Sequence, residues 1–134
     1  MPIELVHLSN LQLLQLSANR LSGTIPPQLY NISSMYFLAI AENQLSDRLP
    51  LNLGLTLPNL QEIYLGTNQL SGPIPISLAN ASGLEVLALA SNALTGPLPK
   101  NLGNLQNLRW ISLGNNPLGD ENGSDLTFLT SLTS

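Results

Sequence analysis

The run Leu84-Glu-Val-Leu-Ala-Leu-Ala-Ser-Asn92-Ala-Leu-Thr-Gly-Pro-Leu-Pro99 decides the fold. Leu87 and Leu89 alternate with small residues, a period-two signal for a short strand with one side buried. Asn92 follows where the chain must turn, and Gly96 and Pro99 then forbid a helix. The same frame, L-x-x-L-x-L-x-x-N-x-L, recurs on both sides. It reads Leu11, Leu14, Leu16, Asn19, Leu21, then Met35, Leu38, Ile40, Asn43, Leu45, then Leu60, Ile63, Leu65, Asn68, Leu70. Beyond the opening run it reads Leu108, Ile111, Leu113, Asn116, Leu118. The asparagines are spaced by 24, 25, 24 and 24 residues. A fixed period of this length marks a stacked repeat, one coil per copy.

Within such a stack the aliphatics of each frame turn inward against the next coil. Asn19, Asn43, Asn68, Asn92 and Asn116 fall at the turn out of each strand. There a side-chain amide can pair backbone groups that would otherwise be buried unbonded. The frame therefore predicts a structural asparagine ladder along one edge.

Composition agrees with this economy of residue types. Of 134 residues, 32 are Leu and 15 are Asn, while aromatics supply 4% and charged residues 9%. Four Lys+Arg against eight Asp+Glu give a net charge of −4, the wrong sign for a nucleic-acid partner. Cysteine is absent, which excludes disulfides and thiolate chemistry. The longest apolar runs, such as 37–41 and 86–90, fall far short of the roughly 20 residues of a membrane span. Met1–Leu8 carries Glu4 and no basic segment, unlike a signal peptide.

After each ladder position comes a second shared segment: Leu21-Ser-Gly-Thr-Ile-Pro26, Leu70-Ser-Gly-Pro-Ile-Pro75 and Leu94-Thr-Gly-Pro-Leu-Pro99. Leu45-Ser-Asp-Arg-Leu-Pro50 is a weaker copy. Together, frame and segment resemble the plant-specific class of leucine-rich repeats. The resemblance implies a second short strand in the L-S-G-x-I-P stretch, followed by a 3-10 turn. The fold expected is a right-handed leucine-rich-repeat solenoid over residues 1–118, with a parallel inner sheet and short 3-10 or irregular outer segments. Residues 119–134 are expected to form an irregular loop and the start of a further repeat. The register places both chain ends partway through a coil, as in a slice of a longer solenoid.

The tail, Asp125-Leu-Thr-Phe-Leu-Thr-Ser-Leu-Thr133, follows an expanded loop after Leu118. It resembles a subfamily of plant leucine-rich-repeat receptor-like serine/threonine kinases that includes the receptor for bacterial elongation factor and the rice bacterial-blight resistance kinases. That resemblance implies an extracellular, ligand-sensing role in defence signalling for a full-length parent, on the outer side of the plasma membrane. A secreted inhibitor of cell-wall-degrading enzymes uses the same repeat class. A truncated receptor fragment without a function of its own is the third reading.

No catalytic motif is present, so the chain is expected not to be an enzyme; no cofactor or metal is implied. His7 is the only histidine and lies in a connecting segment aligned with Asn31, Asn80 and Asn104. Glu42 and Glu62 stand about 16 Å apart in the frame, beyond the roughly 5–9.5 Å of a glycosidase pair. Asp120, Glu121 and Asp125 lack the ordered spacing of a calcium loop. Three sequons, at Asn31, Asn80 and Asn122, are candidate glycosylation sites. Asn31 and Asn80 each precede their ladder asparagine by 12 residues, away from the strand.

The variable positions of each strand point to solvent on the inner face. Counting the first leucine as one, position three reads Leu13, Phe37, Glu62, Val86 and Trp110 down the stack. Position five reads Gln15, Ala39, Tyr64, Ala88 and Ser112, and positions seven and eight are mostly small. The expected ligand-binding residues are Leu13, Phe37, Glu42, Glu62, Tyr64, Val86 and Trp110: exposed aromatic anchors, apolar contacts and two carboxylates suited to a basic side chain. The expected partners are a peptide or protein ligand and a co-receptor ectodomain. Five strands give a face about 20 Å long, room for about six residues of extended peptide.

Overall fold

The computed structural model describes residues 1–119. Five three-residue strands, β1 (Leu13–Gln15), β3 (Phe37–Ala39), β5 (Glu62–Tyr64), β7 (Val86–Ala88) and β9 (Trp110–Ser112), form a parallel sheet in that order, one from each coil. A second parallel sheet stacks β2 (Ser22–Thr24), β4 (Gln44–Arg48), β6 (Gln69–Pro73) and β8 (Ala93–Thr95). These are the L-S-G-x-I-P segments, so both halves of the repeat contribute a strand. The architecture is a leucine-rich-repeat solenoid. Among the described residues no helix is long and apolar enough to cross a membrane.

The outer segments follow from proline. Pro26, Pro75 and Pro99 each precede a 3-10 turn, Pro27–Asn31, Ile76–Asn80 and Lys100–Asn104. Each proline's carbonyl accepts the first turn's bond, from Leu29 N–H at 3.0 Å, Leu78 N–H at 3.2 Å and Leu102 N–H at 3.1 Å. Coil three differs, because the 25-residue interval places one more residue between Pro50 and Leu60. That residue converts the tight turn into a single α-turn, α1 (Leu53–Thr56), closed by Leu57 N–H to Leu53 O at 3.0 Å.

Between the inner sheet and these turns lies one continuous aliphatic core. Leu38, Ile63 and Leu87, the central residues of their strands, are fully buried, as are Met35, Leu60 and Leu84, which open their frames. Fully burying such a side chain is worth about 1.5–3 kcal/mol.

The asparagines tie coil to coil. Asn68 Nδ2 donates to Ile40 O of the previous coil at 3.0 Å and to Leu65 O of its own at 3.1 Å, while its Oδ1 accepts Leu45 N–H at 3.0 Å. Asn43, Asn92 and Asn116 repeat the pattern. The Asn19 side chain bonds only its own turn, at Leu16 O and Ser17 O, though its backbone N–H donates to Asn43 Oδ1 of the next coil. The residue before each of these asparagines is left-handed in every coil: Ala18, Glu42, Thr67, Ser91 and Asn115, with φ between 55° and 61°. Such a conformation is disfavoured for a residue with a side chain, and the ladder's bonds hold it in place.

Candidate functional site

The register fixes how the inner face is laid out. Leu13, Phe37, Glu62, Val86 and Trp110 pair in one row across the five strands, and Gln15, Ala39, Tyr64, Ala88 and Ser112 in the next. Trp110 is 54% exposed and Leu13 48%, the two ends of the first row. Phe37, Glu62 and Tyr64 are half-buried, and Glu42 is exposed at the strand exit.

Val86 corrects the expectation for this face. It points away from the aliphatic core, yet its exposure is zero. The cause is the bulk on either side. Glu62 and Trp110 flank it in register, and Arg109 on β9's side forms an ion pair with Glu62 on β5, 3.7 Å across the strand that carries Val86. Ala39 is likewise covered, 2% exposed beside Tyr64. Neither offers a ligand a surface in this arrangement.

The centre of the face is a linked polar and aromatic group. The Tyr64 hydroxyl donates to Glu62 Oε1 at 2.6 Å, and the Phe37 and Tyr64 rings lie 5.6 Å apart, tilted by 45°. Arg109 Nε donates to Glu85 Oε1 at 3.3 Å. The bond to Glu62, with a smaller contribution from burial, raises the Tyr64 hydroxyl above its ordinary value of 10.0. Both Glu85 and Arg109 stand at position two of the frame, which sequence reasoning left out. The signal was available: Gln12, Tyr36, Gln61, Glu85 and Arg109 form a further column that varies from coil to coil.

The remaining candidates lie elsewhere. Asn31 and Asn80 are exposed at the ends of the outer turns Pro27–Asn31 and Ile76–Asn80, off the inner sheet. Asn122, with Asp120, Glu121 and Asp125, lies outside the described residues. Among the described residues no three potential metal ligands gather. Away from the sheet, Tyr30 is buried beneath β4, where burial and then the Asp47 carboxylate hold its hydroxyl well above the usual tyrosine range.

Comparison with known proteins gives the family. A search of curated proteins found no match. Two family models, both described as leucine-rich repeat, match residues 58–118 and 10–32. The BIR2 ectodomain from Arabidopsis thaliana is 36% identical, with a TM-score of 0.76 over 80% of this chain and 56% of that one. The Arabidopsis receptor kinase HAESA, solved with the peptide hormone IDA and the co-receptor SERK1, is 34% identical, with a TM-score of 0.84 over 89% of this chain and 20% of the matched one. A leucine-rich-repeat protein of Leptospira interrogans is 35% identical, with a TM-score of 0.75 over 88% of this chain and 29% of its own. The chain thus spans about half of the first ectodomain and a fifth of the second. The coils, the two sheets and these matches agree: the chain belongs to the leucine-rich-repeat family and is similar to the ectodomains of plant receptor kinases.

Proposed function

We propose that this chain is a peptide- or protein-binding segment of a plant receptor-like kinase ectodomain, acting by recognition and not by catalysis. The observation that carries this reading is the exposed Trp110 on the sheet face opposite the core, in one row with Leu13, Phe37 and Glu62, with Tyr64 in the adjoining row. An indole left in water at the edge of a shallow face is a typical interface anchor. The HAESA complex, with its peptide hormone and co-receptor, supports the choice of partner class. Of the expected contacts, Leu13, Phe37, Glu42, Glu62, Tyr64 and Trp110 are open to a ligand as the face stands, and Val86 is covered.

In the parent protein this segment faces the extracellular side of the plasma membrane, with defence signalling as its output. Glycans on Asn31 and Asn80 fit that placement, since both side chains are exposed and off the sheet. A random-peptide library selected against the full 134-residue chain tests the reading. Selected peptides should bind Trp110→Ala or Tyr64→Ala at least about tenfold more weakly, as for a hot-spot anchor. Substitutions at Leu51 or Leu55, exposed on the outer turns, should leave binding unchanged. Peptides that tolerate both aromatic substitutions would overturn it.

A further inference from the structure

Val86 is where the inner face departs from its own pattern. The other members of its row are exposed or half-buried, whereas a valine with no solvent contact needs something lying over it. The side chain that spans this strand is Arg109. It begins one residue before Trp110, and its Nη2 ends 3.7 Å from Glu62 Oε1, two strands away, while its Nε rests 3.3 Å from Glu85 Oε1. One guanidinium is therefore shared by two carboxylates. Of the chain's other three basic residues, Arg20 sits in the turn between β1 and β2, Arg48 on the second sheet and Lys100 on an outer turn.

Without the Arg109 side chain, β7 would floor a slot about 9.6 Å wide, two strand spacings. Glu62, steadied by the Tyr64 hydroxyl at 2.6 Å, forms one wall and the Trp110 indole the other. Carboxylate, indole and apolar floor together match a side chain with an aliphatic stem and a cationic head. The present occupant is held weakly: the Arg109 side chain is 59% exposed, and exposed ion pairs contribute little.

We infer that the slot over Val86 is a subsite for a lysine or arginine side chain of the ligand, and that Arg109 is its intramolecular occupant, displaced when the ligand's cation enters. This deepens the inner-face reading and rests on it. The Arg109 guanidinium stands in for the ligand's head group, and its contacts to Glu62 and Glu85 are those the ligand takes over.

Trp110 is the only tryptophan, so its fluorescence reports the slot directly. The probes are N-acetyl-arginine amide and its uncharged isostere N-acetyl-citrulline amide, titrated into the full chain. Arg109→Ala should tighten the response to the arginine probe by about threefold or more, as expected for removing a weak competing pair. Glu62→Gln, which keeps the hydrogen-bonding shape, should weaken it by a similar factor and abolish the preference over citrulline. Circular dichroism melts confirm that each variant is folded. An unchanged or weaker arginine response in Arg109→Ala, or equal responses to the two probes, would overturn the proposal. Those failures leave the inner-face reading standing, because that reading falls only if Trp110→Ala and Tyr64→Ala leave peptide binding intact.

Discussion

The first and third coils carry the same frame and meet different surroundings. In coil three Leu60, Leu65 and Leu70 are at most 1% exposed; the Asn68 side chain bonds back to Leu45 N–H and Ile40 O, and its backbone N–H donates forward to Ser91 O. In coil one the matching Leu11, Leu16 and Leu21 are only partly buried, and Asn19 reaches no earlier coil. Identical residues thus acquire their burial from the neighbour and not from their own coil. Stability in such a stack is close to a sum of nearest-neighbour terms, and the inner face is only as rigid as the coils beneath it.

The largest expected contrast is in the core. Leu65→Ala should cost about 3–5 kcal/mol, whereas Leu16→Ala should cost less than about half as much, because its site is already open on one side. Equal losses in denaturant melts would break the comparison. Next comes Gly54 in α1, whose N–H bonds Ser77 Oγ at 3.1 Å. A Cβ there would sit 1.8 Å from the Ser77 carbonyl oxygen, so coils three and four must part. Gly54→Ala should cost about 3 kcal/mol, while Gly83→Ala, with open space around it, should be near neutral.

The ladder gives a smaller contrast. Asn68→Ala strands the Leu45 N–H, while Ile40 O and Leu65 O keep the amides of Asn43 and Asn92; it should cost about 1–3 kcal/mol, and Asn19→Ala below about 1 kcal/mol. Chemical melts of the two variants decide it. A gain is expected at Asp47, whose φ of 92° occupies the place where Gly23, Gly72 and Gly96 adopt 77–81°. Asp47→Gly should raise stability by about 0.5–1 kcal/mol in the same melts.

Much of this was legible from the spacing of leucines and asparagines. The period fixed the number of coils and the rows across the sheet, since strand register follows directly from a 24-residue repeat. The second strand was visible only through the resemblance, because Leu-Ser-Gly-x-Ile-Pro has no alternation of its own to read. The α-turn at Leu53–Thr56 was foreshadowed by the single 25-residue interval, but a one-residue insertion does not declare which turn absorbs it. Val86 was misread because Glu62 and Trp110 flank it and an ion pair from Arg109, 23 residues on, spans its strand. A side chain long enough to cross a strand defeats any reading made one position at a time.

The smallest effect concerns Tyr64. Its hydroxyl is raised by the bond to Glu62, so it should ionise above 10.0 in a spectrophotometric titration, and Glu62→Gln should bring it back toward that value. A folded-state value above the unfolded one means the bond's contribution is intact below pH 10 and is lost as the pH rises through the folded value. Tyrosine titration unchanged by Glu62→Gln would show that the polar group at the centre of the face is not formed.

The central claim, that the stack presents its only indole to solvent as an anchor for a ligand, is tested most directly by acrylamide quenching of Trp110 in the folded chain. The account predicts quenching at least half as efficient as in the unfolded chain, in line with the 54% exposure of the residue. Emission that resists quenching until the chain is unfolded would place the ring in the core and contradict the orientation of the entire inner face.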